Sequence, residues 1–371
     1  MIKVLNILTD SNIGGAGRCL INYLKYCDRD RFSVQVVLPR NSKLKPEVTA
    51  LNVPVIEADG IAEQSFSFAG VGILKKIIQA EQPDLVHTHG SLSGRIAARQ
   101  CGAKVIYTRH SAFPVPSYLH RGPGRWLNGW INSHYADSII AVSPATAQNL
   151  TDSGVPKKKI TVMMNGVEPL QRSTPEACAQ LRHTLKIPEG VFTGGIFARL
   201  EPYKGHQLLL EAAKKLLEQG RDFRFLICGT GPQEEAIRTG IAELGLERHV
   251  LFLGFVQNVA EILSILDIQL NCSYGTEASS LALIEGMSLG LATVASDYGG
   301  NPWQVDDGTT GLLFQTGNSD HLAEQIARLM DDPELLSSLR SNALEAYRSR
   351  FTGEIFAKNI ERVYTQTLAH K

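Results

Sequence analysis

Apolar segments of strand length alternate with helical patterns from one end of this 371-residue chain to the other. Such alternation is typical of α/β proteins with parallel sheets, because a parallel strand needs a crossover, usually a helix, before its neighbour. A chain of this length exceeds one core of ordinary size, so we expect two domains. A polar stretch at residues 170–190 separates two series of strands. We therefore predict doubly wound domains at residues 1–169 and 170–352, and a final segment at 353–371.

The expected strands and helices decide where a ligand can bind. The predicted strands lie near residues 3–8, 32–38, 53–57, 85–88, 104–108, 138–142 and 160–164 in the first domain, and near 193–197, 223–228, 250–253, 268–271 and 292–296 in the second. The main helical patterns lie near residues 19–27, 70–80, 92–100, 145–151, 319–330, 333–348 and 353–370. Ligands of doubly wound sheets bind outside the carboxyl ends of the strands. We therefore expect a central cleft that the two domains face, with functional residues in the loops that follow strands.

Cysteine usage and the amino terminus bear on the compartment. The six cysteines include no CxxC pair, and several lie inside apolar segments. They are expected to be small buried side chains in a reducing compartment, and no zinc site is predicted. Residues 1–10 contain one lysine and a short apolar run, which fits a first strand better than a signal peptide. Because no apolar run approaches the roughly 18 residues of a membrane span, we expect a cytoplasmic protein.

Charge is divided unevenly between the two halves of a chain whose net charge is zero. Residues 1–168 hold 19 Lys and Arg against 12 Asp and Glu, or +7, whereas residues 169–371 hold 18 against 25, or −7. Residues 113–135 interleave aromatic with basic side chains, namely Tyr118, Arg121, Arg125, Trp126 and Trp130. This segment fits an anionic membrane surface or a lipid-linked anion, and it fits a long acceptor-side loop equally well.

A glycine-rich turn, Gly14-Gly15-Ala16-Gly17, follows the first strand. Glycines at this position let the backbone approach a phosphate closely. A dinucleotide-binding fingerprint needs a third glycine and an acidic residue at the end of the second strand, and this chain has neither. No P-loop motif is present in the sequence. The turn therefore favours a phosphate near Gly14 and Gly15 over a dehydrogenase; a tight turn without a ligand is the alternative.

Residues 271–290 combine the end of an apolar strand, a polar turn and a helix. Ser279 or Ser280 is the expected N-cap, because a hydroxyl there accepts a hydrogen bond from an unpaired helix N–H. The free N–H groups and partial positive charge of a helix start suit a phosphate. Glu277 in the turn and Glu285 inside the helix flank this point. The arrangement predicts a ligand with a phosphate and hydroxyl groups; an ordinary strand-turn-helix is the alternative.

Further candidates follow other predicted strands. Arg199 and Lys204 lie in one strand-to-helix loop, where they could bind a diphosphate together. Residues 297–302, DYGGNP, form another turn after a strand, and its backbone N–H groups could face a ligand. In the first domain, His87 is expected to be a packed strand residue. His110 lies just past a strand, so it is the better candidate for a site.

Taken in order, these motifs resemble those of the family four retaining glycosyltransferases, which have the two-domain GT-B fold. The similarity extends over nearly the whole chain and is carried by GGAG, DLVHTHG, TRHS, AVSPAT, NGVE, ARLEPYKGH, CGTGP, LGFV, TEASSLALIEGMSLG and ASDYGGNPWQVDDGTTGLLF. Each piece is weak alone, but the ordered set is specific. The chain departs from the family pattern at Ser279-Ser280, at Trp303, and at Gly286, which carries a local helix cost.

The resemblance implies that the second domain binds a nucleoside-diphosphate sugar. Glu277 would hold sugar hydroxyls near the anomeric centre, and Glu285 would hold the ribose. The diphosphate would contact the side chains of Arg199 and Lys204 and the backbone of Ser279, Ser280 and Leu281. No metal site is expected, because these groups would stabilise the leaving diphosphate themselves.

The resemblance also implies roles for the first domain. Gly14 and Gly15 would meet the donor from that domain, and His110 would lie beside the reacting sugar. The final helix, within residues 353–371, would cross back onto the first domain.

The activity that this resemblance implies is retaining, metal-independent transfer of a hexose-type sugar from a nucleoside-diphosphate sugar to an acceptor hydroxyl. The acceptor would be a glycan or a lipid-linked molecule of bacterial-type polysaccharide or glycolipid synthesis. Neither a cofactor nor a nucleic-acid partner is expected. The enzyme is expected in the cytoplasm, peripheral on the inner face of an anionic membrane. Two alternatives stay open, a non-hydrolysing sugar-nucleotide epimerase and a non-catalytic donor-binding subunit.

Overall fold

A computed structural model describes residues 1–369 of the chain and divides it into two compact units. The first unit consists of Met1–Val167 together with the carboxyl-terminal segment that starts at Phe351, and the second is Glu168–Arg350. The chain thus passes between units at 167/168 and 350/351, where the sequence placed the boundaries at 169/170 and 352/353. Residues 370 and 371 of the predicted final segment lie outside the described residues.

The first unit is built on a parallel sheet of seven strands in the order β3-β2-β1-β4-β5-β6-β7. Its strands are β1 Ile2–Leu8, β2 Phe32–Pro39, β3 Val55–Ala58, β4 Leu85–His89, β5 Lys104–Arg109, β6 Ser138–Ala141 and β7 Ile160–Val162. Its helices before the second unit are α1 Gly15–Tyr26, α2 Lys45–Ala50, α3 Phe68–Glu81, α4 Leu92–Gln100, α5 Ser117–His120, α6 Gly122–His134 and α7 Pro144–Asp152. The central strands β1 and β4 are almost wholly buried, as expected for a parallel sheet covered on both faces.

The second unit repeats this plan on a parallel sheet of six strands in the order β10-β9-β8-β11-β12-β13. Its strands are β8 Phe192–Phe197, β9 Phe223–Cys228, β10 Val250–Gly254, β11 Ile268–Asn271, β12 Ala292–Ser296 and β13 Gly311–Phe314. Its helices are α8 Pro175–Thr184, α9 His206–Glu218, α10 Glu234–Glu243, α11 Val259–Ser264, α12 Leu281–Ser288, α13 Asn301–Gln304, α14 Ser319–Asp331 and α15 Pro333–Ala346. The predicted α/β class and the two Rossmann-like sheets are confirmed.

Helix α16, Gly353–Ala369, belongs to the first unit although it follows the second in the chain. Its Tyr364 is fully buried and makes edge-to-face contacts with Tyr23 of α1 and Phe32 of β2, at 5.8 Å between ring centroids in each case. Just before the helix, Thr352 forms a parallel bridge with Val167. This bridge joins the two segments of the first unit where the chain leaves it and returns.

Three local predictions were wrong. Helix α1 begins at Gly15 and not at residue 19, because the carbonyl of Gly14 already accepts the N–H of Arg18. Strand β13 was not predicted; it is a four-residue run that pairs with β12, and Gly311 lets the two backbones approach, since a Cβ there would lie 2.4 Å from the Thr293 oxygen.

The third correction concerns residues 113–135, for which a long loop was one of the two interpretations. The segment contains two helices, α5 and the 13-residue α6. Helix α6 packs very closely on the turn after α7. The backbones are so near that a Cβ on Gly129 would lie 2.2 Å from the carbonyl oxygen of Gly154. The contact between Gly129 and Gly154 depends on tertiary packing, which the pattern of apolar residues along the chain does not reveal.

The strand order reverses once in each sheet, between β1 and β4 in the first unit and between β8 and β11 in the second. Doubly wound sheets bind ligands outside the carboxyl ends of the strands at such switch points. The loops at these two positions therefore define the candidate sites.

Candidate active site

In the second unit, the loop after β8 and the turn after β11 meet at the switch point. Gly205 has φ +73°, and a Cβ on it would lie 2.0 Å from the carbonyl oxygen of Cys272. The N–H of Tyr274 donates to the carbonyl of Tyr203 at 2.9 Å. Only glycine permits this approach of two backbones, and it places Lys204 beside the turn that carries Glu277.

Lys204 and Glu277 form a largely buried ion pair at this point. The distance from Lys204 Nζ to Glu277 Oε2 is 2.8 Å, and the two side chains are 16% and 7% exposed. Asn271 Nδ2 and the Ser273 hydroxyl donate to the same oxygen at 3.2 and 3.0 Å. No donor within residues 1–369 contacts Glu277 Oε1. The carboxylate is therefore fixed through one oxygen and has the other available for a ligand.

Helix α12 begins beside this carboxylate. Ser280 is its N-cap, as one of the two predicted alternatives had it, and its hydroxyl accepts from the N–H of Leu283 at 3.4 Å. The expectation that Ser280 offers its own N–H to a phosphate was wrong, because that N–H donates to Gln304 Oε1 at 2.8 Å. In the part of the chain that the structure describes, the N–H groups of Ser279 and Leu281 have no acceptor. The buried hydroxyl of Ser279 has no partner there either.

The turn at residues 297–302 packs against the backbone at Glu277. The N–H of Gly300 donates to the carbonyl of Glu277 at 2.8 Å, so this N–H does not face a ligand as the sequence had indicated. A Cβ on Gly300 would lie 1.9 Å from the carbonyl oxygen of Ala278, and one on Gly299, at φ +61°, would lie 2.2 Å from that of Glu277. The two glycines are needed for the turn to pack under the carboxylate.

Arg199 and Glu285 complete the set predicted in the second unit. Arg199 lies in the same loop as Lys204, largely exposed, and donates to the Tyr203 hydroxyl at 2.9 Å. Glu285 is the fifth residue of α12 and is half-buried. The structure thus brings Lys204 into contact with Glu277 and places Arg199 and Glu285 on the loop and the helix that adjoin this pair.

Three residues that hold this site together were not predicted, namely Asn271, Ser273 and Gln304. The signal for the first two was present, since both are polar residues at the end of the apolar strand β11, within six positions of Glu277. Gln304 lies 24 positions from its partner Ser280, so no local pattern could connect the two.

In the first unit, Gly14 and Gly15 lie exposed at the start of α1. A Cβ on either would meet no atom within 4 Å, and neither residue has a positive φ. Packing within this unit therefore gives no reason for glycine at these positions. The approach of a ligand to Gly14 and Gly15 stays a prediction.

We expect Gly15→Ala to keep or raise the melting temperature and to lower sugar transfer about tenfold. Alanine gains roughly 0.5–1 kcal/mol over glycine in a helix, and nothing in the unit obstructs the methyl group. The matched control is Gly72→Ala in α3, which is also exposed and unobstructed. Calorimetric melting and a transfer assay on both variants make the comparison. Equal transfer rates for both would remove Gly15 from the site.

His110 directly follows β5 and is half-buried. Its Nε2 lies 2.9 Å from Nδ1 of His89, the last residue of β4. Burial lowers the pKa of His110 to about 4, so the ring is neutral near pH 7. His87 is fully buried within β4, as predicted. The structure therefore places His110 at the edge of a histidine cluster at the first switch point.

Within residues 1–369, no three His, Cys, Asp or Glu side chains are grouped so that they could hold a metal ion. No helix in this range combines the length and apolar character needed to cross a membrane.

Comparison with known proteins extends these observations. Residues 180–346 match the family described as glycosyl transferases group 1, and residues 13–170 match glycosyltransferase family 4. EpsD of Bacillus subtilis (strain 168), which carries the name of a glycosyltransferase, is 30% identical over 301 residues, or 76% of this chain and 77% of that protein. The Escherichia coli UDP-Gal:alpha-D-GlcNAc-diphosphoundecaprenol alpha-1,3-galactosyltransferase is 25% identical and covers 90% of this chain and 89% of its own.

Solved structures show the same fold. The crystal structure of Anabaena Alr3699/HepE in complex with UDP and glucose superposes with a TM-score of 0.84 at 24% identity, covering 99% of this chain and 100% of that one. The two parallel sheets with their flanking helices thus match the GT-B architecture.

Proposed function

This chain belongs to the group 1 glycosyltransferases, with an amino-terminal domain of glycosyltransferase family 4, and we propose that it uses a nucleoside-diphosphate sugar and retains the anomeric configuration. This proposal rests on the arrangement of residues at the switch point of the second unit. There a cation, a carboxylate and a helix start with free N–H groups lie side by side, as a ligand with a diphosphate and sugar hydroxyls requires.

The diphosphate would bind at the start of α12. The N–H groups of Ser279 and Leu281 have no acceptor within the described residues, and Lys204 and Arg199 supply positive charge from the facing loop. In the reaction, the bond from the anomeric carbon to the phosphate oxygen breaks, and its electron pair goes to the diphosphate. These groups stabilise the charge that develops, and we propose that they do so without a metal ion.

The acceptor hydroxyl would attack from the face that the diphosphate leaves. Its oxygen forms the new bond to the anomeric carbon, and its proton passes to an oxygen of the departing phosphate. This same-face attack retains the anomeric configuration without a covalent intermediate on Glu277. The division of labour is then that Glu277 Oε1 holds sugar hydroxyls, Glu285 holds the ribose, and the neutral ring of His110 contacts a sugar hydroxyl.

A thermal-shift screen with nucleosides, nucleoside monophosphates, diphosphates and diphosphate sugars tests this proposal in the presence of excess chelator. A ligand at 100 times its Kd adds about 2.7 kcal/mol of stability. We expect a clear rise in melting temperature with one nucleoside diphosphate and its sugars, and a smaller rise with the monophosphate. A strict need for added magnesium or manganese, or no response to any diphosphate, would contradict the proposal.

For the acceptor we propose a glycan or lipid-linked molecule presented at an anionic membrane surface. The name of the E. coli relative describes a lipid-linked acceptor. In this chain, the α6 surface, defined as Arg121, Arg125, Trp126, Leu127 and Trp130, is exposed in the first unit. Trp126 and Trp130 are 70% and 46% exposed and lie one turn apart on the helix. Aromatic rings and cations together favour the headgroup region of an anionic bilayer.

We expect the protein to float with vesicles that contain anionic phospholipid at low salt and to dissociate as salt rises. The double variant Trp126→Ala/Trp130→Ala should weaken this binding about tenfold, because it removes the two rings that would enter the headgroup region. Trp303→Ala is the matched control, since Trp303 is 53% exposed but belongs to the second unit. Equal flotation of all variants, or no flotation of the wild type even at low salt, would contradict membrane binding through the α6 surface. The acceptor would then be bound without a membrane.

A further inference from the structure

Three histidine rings lie next to one another at the carboxyl ends of β4 and β5. The ring centroids of His87 and His89 are 4.4 Å apart, and those of His89 and His110 are 5.2 Å apart with an interplanar angle of 22°. His87 and His89 are buried, and only His110 is partly exposed. The cluster therefore leads from the interior of the first unit to the candidate site residue.

Hydrogen bonds run through this cluster in one direction. His89 Nε2 lies 3.3 Å from Oδ1 of Asn6, a fully buried residue of β1, and His89 Nδ1 lies 2.9 Å from His110 Nε2. The Asn6 amide is oriented with Oδ1 toward the ring, and a carboxamide oxygen only accepts, so in this orientation His89 carries its proton on Nε2. The Nδ1 of a neutral His89 then accepts, so His110 donates from its Nε2. The Nδ1 of His110 remains as an acceptor, and no donor within residues 1–369 contacts it.

The proton count of the cluster is fixed by burial. Burial lowers the pKa of His110 to about 4 and that of His87 to about 3, and it lowers the pKa of His89 well below the ordinary value. Each ring is therefore neutral and carries a single proton near pH 7. In each ring, one nitrogen is then a donor and the other is an acceptor.

His87 does not take part in this chain. Its Nδ1 lies 2.8 Å from the hydroxyl of Tyr364 on α16, and its Nε2 lies 2.7 Å from the hydroxyl of Thr108. Both of its nitrogens are thus occupied by structural partners. Among the described residues, only His89 links the buried Asn6 to His110.

We propose that His89 is a positioning residue, which sets the tautomer and ring orientation of His110 so that His110 Nδ1 accepts a hydrogen bond from a sugar hydroxyl. The inference rests on the proposed function, because it takes His110 to contact the reacting sugar. It goes beyond that function in naming the protonated nitrogen, the accepting nitrogen and the residue that decides between them. The nitrogen that carries the proton in a histidine is set by the hydrogen bond of the other nitrogen.

The tautomer can be measured without any substrate. Long-range ¹⁵N–¹H correlation spectra of histidine-labelled protein show which nitrogen is protonated, and comparison with His110→Gln assigns the signals of His110. We expect His110 to carry its proton on Nε2 in the wild type and to populate both tautomers in His89→Leu. A wild-type His110 protonated on Nδ1, or a tautomer that is the same in His89→Leu, would overturn the inference.

Activity gives the second readout. His89→Leu should lower kcat about 10-fold to 100-fold with the donor KM unchanged, a loss of the size that follows removal of the residues that orient metal-bound histidines. His89→Asn should restore kcat to within about threefold of wild type, because its carboxamide oxygen can replace Nδ1 as acceptor. Equal losses in both variants would mean a structural role only. If His89→Leu does not fold, Asn6→Leu replaces it, and it too should mix the tautomers of His110.

The two proposals fail in distinguishable ways. If the wild type transfers no sugar but His110 has the expected tautomer, the proposed function fails and the arrangement of the cluster stands. If the wild type transfers sugar and His89→Leu transfers equally fast, the positioning role alone is wrong.

Discussion

Glu277→Gln should lower the rate of sugar transfer roughly 100-fold to 10,000-fold while the protein remains folded. With the glutamine oxygen in the place of Oε2, an NH2 group replaces Oε1 and cannot accept the hydrogen bonds from sugar hydroxyls that we propose for that oxygen; each bond to a charged group contributes about 1.5–3 kcal/mol. The fold should survive because glutamine has the same shape and its oxygen can still accept from Lys204, Asn271 and Ser273. Transfer rates and thermal melting of the purified variant measure the two effects separately.

Glu285→Gln is the matched control, since it makes the same chemical change on α12. It should weaken binding of the bare nucleoside diphosphate more than it slows transfer at saturating donor. Calorimetric titration with the diphosphate alone, beside transfer rates, separates these effects. If Glu285→Gln binds the bare nucleotide normally, or Glu277→Gln transfers at the wild-type rate, the assignment of the two glutamates is wrong.

Lys204→Ala should weaken donor binding about 10-fold to 100-fold and should also lower the free energy of unfolding. The first effect would follow from the loss of the charge-assisted contact that we propose between Lys204 and the diphosphate. The second follows from the structure, because Glu277 is only 7% exposed and would lose its sole cationic partner among the described residues. Leaving a buried group without its partner costs about 1–3 kcal/mol or more.

Lys215→Ala serves as the control for this prediction. Lys215 also forms an ion pair in the second unit, with Asp320, but that carboxylate is 75% exposed. Exposed pairs contribute about 0–1 kcal/mol, so this variant should unfold and bind nucleotide almost as the wild type does. Titration with nucleoside diphosphate and urea unfolding should therefore distinguish the two lysines. Unchanged donor affinity in Lys204→Ala would refute the phosphate role of Lys204.

Local pattern was sufficient to predict the alternation of strands and helices apart from β13 and the helices α5 and α6, since periodicity and turn residues are properties of neighbouring positions. It also predicted that Ser280 or its neighbour begins α12 and that Lys204 lies in the loop after β8. The same reasoning missed the contact between Lys204 and Glu277, which are 73 positions apart. The switch-point topology brings them together, and nothing in either local segment indicates the distance between them.

Gly286 is a second residue whose role the local sequence pattern could not explain. In the sequence it is a helix-weakening residue without a reason. In the structure a Cβ there would lie 2.0 Å from Oε1 of Gln269, whose Nε2 donates to the carbonyl of Leu283 and the hydroxyl of Thr293. The buried glutamine therefore occupies the space that an alanine methyl group would need. A packing reason of this kind becomes visible only when the strand and the helix are placed together.

Proton NMR of the complete reaction, with nucleoside-diphosphate hexoses and a panel of glycan and glycolipid acceptors in excess chelator, tests the proposed retaining transfer. We expect one donor to be consumed only when an acceptor is present. Nucleoside diphosphate should be released in equal amount, and the new glycosidic linkage should have the anomeric configuration of the donor. Conversion of a donor into its epimer without an acceptor, donor binding without turnover, or a product of inverted configuration would contradict it.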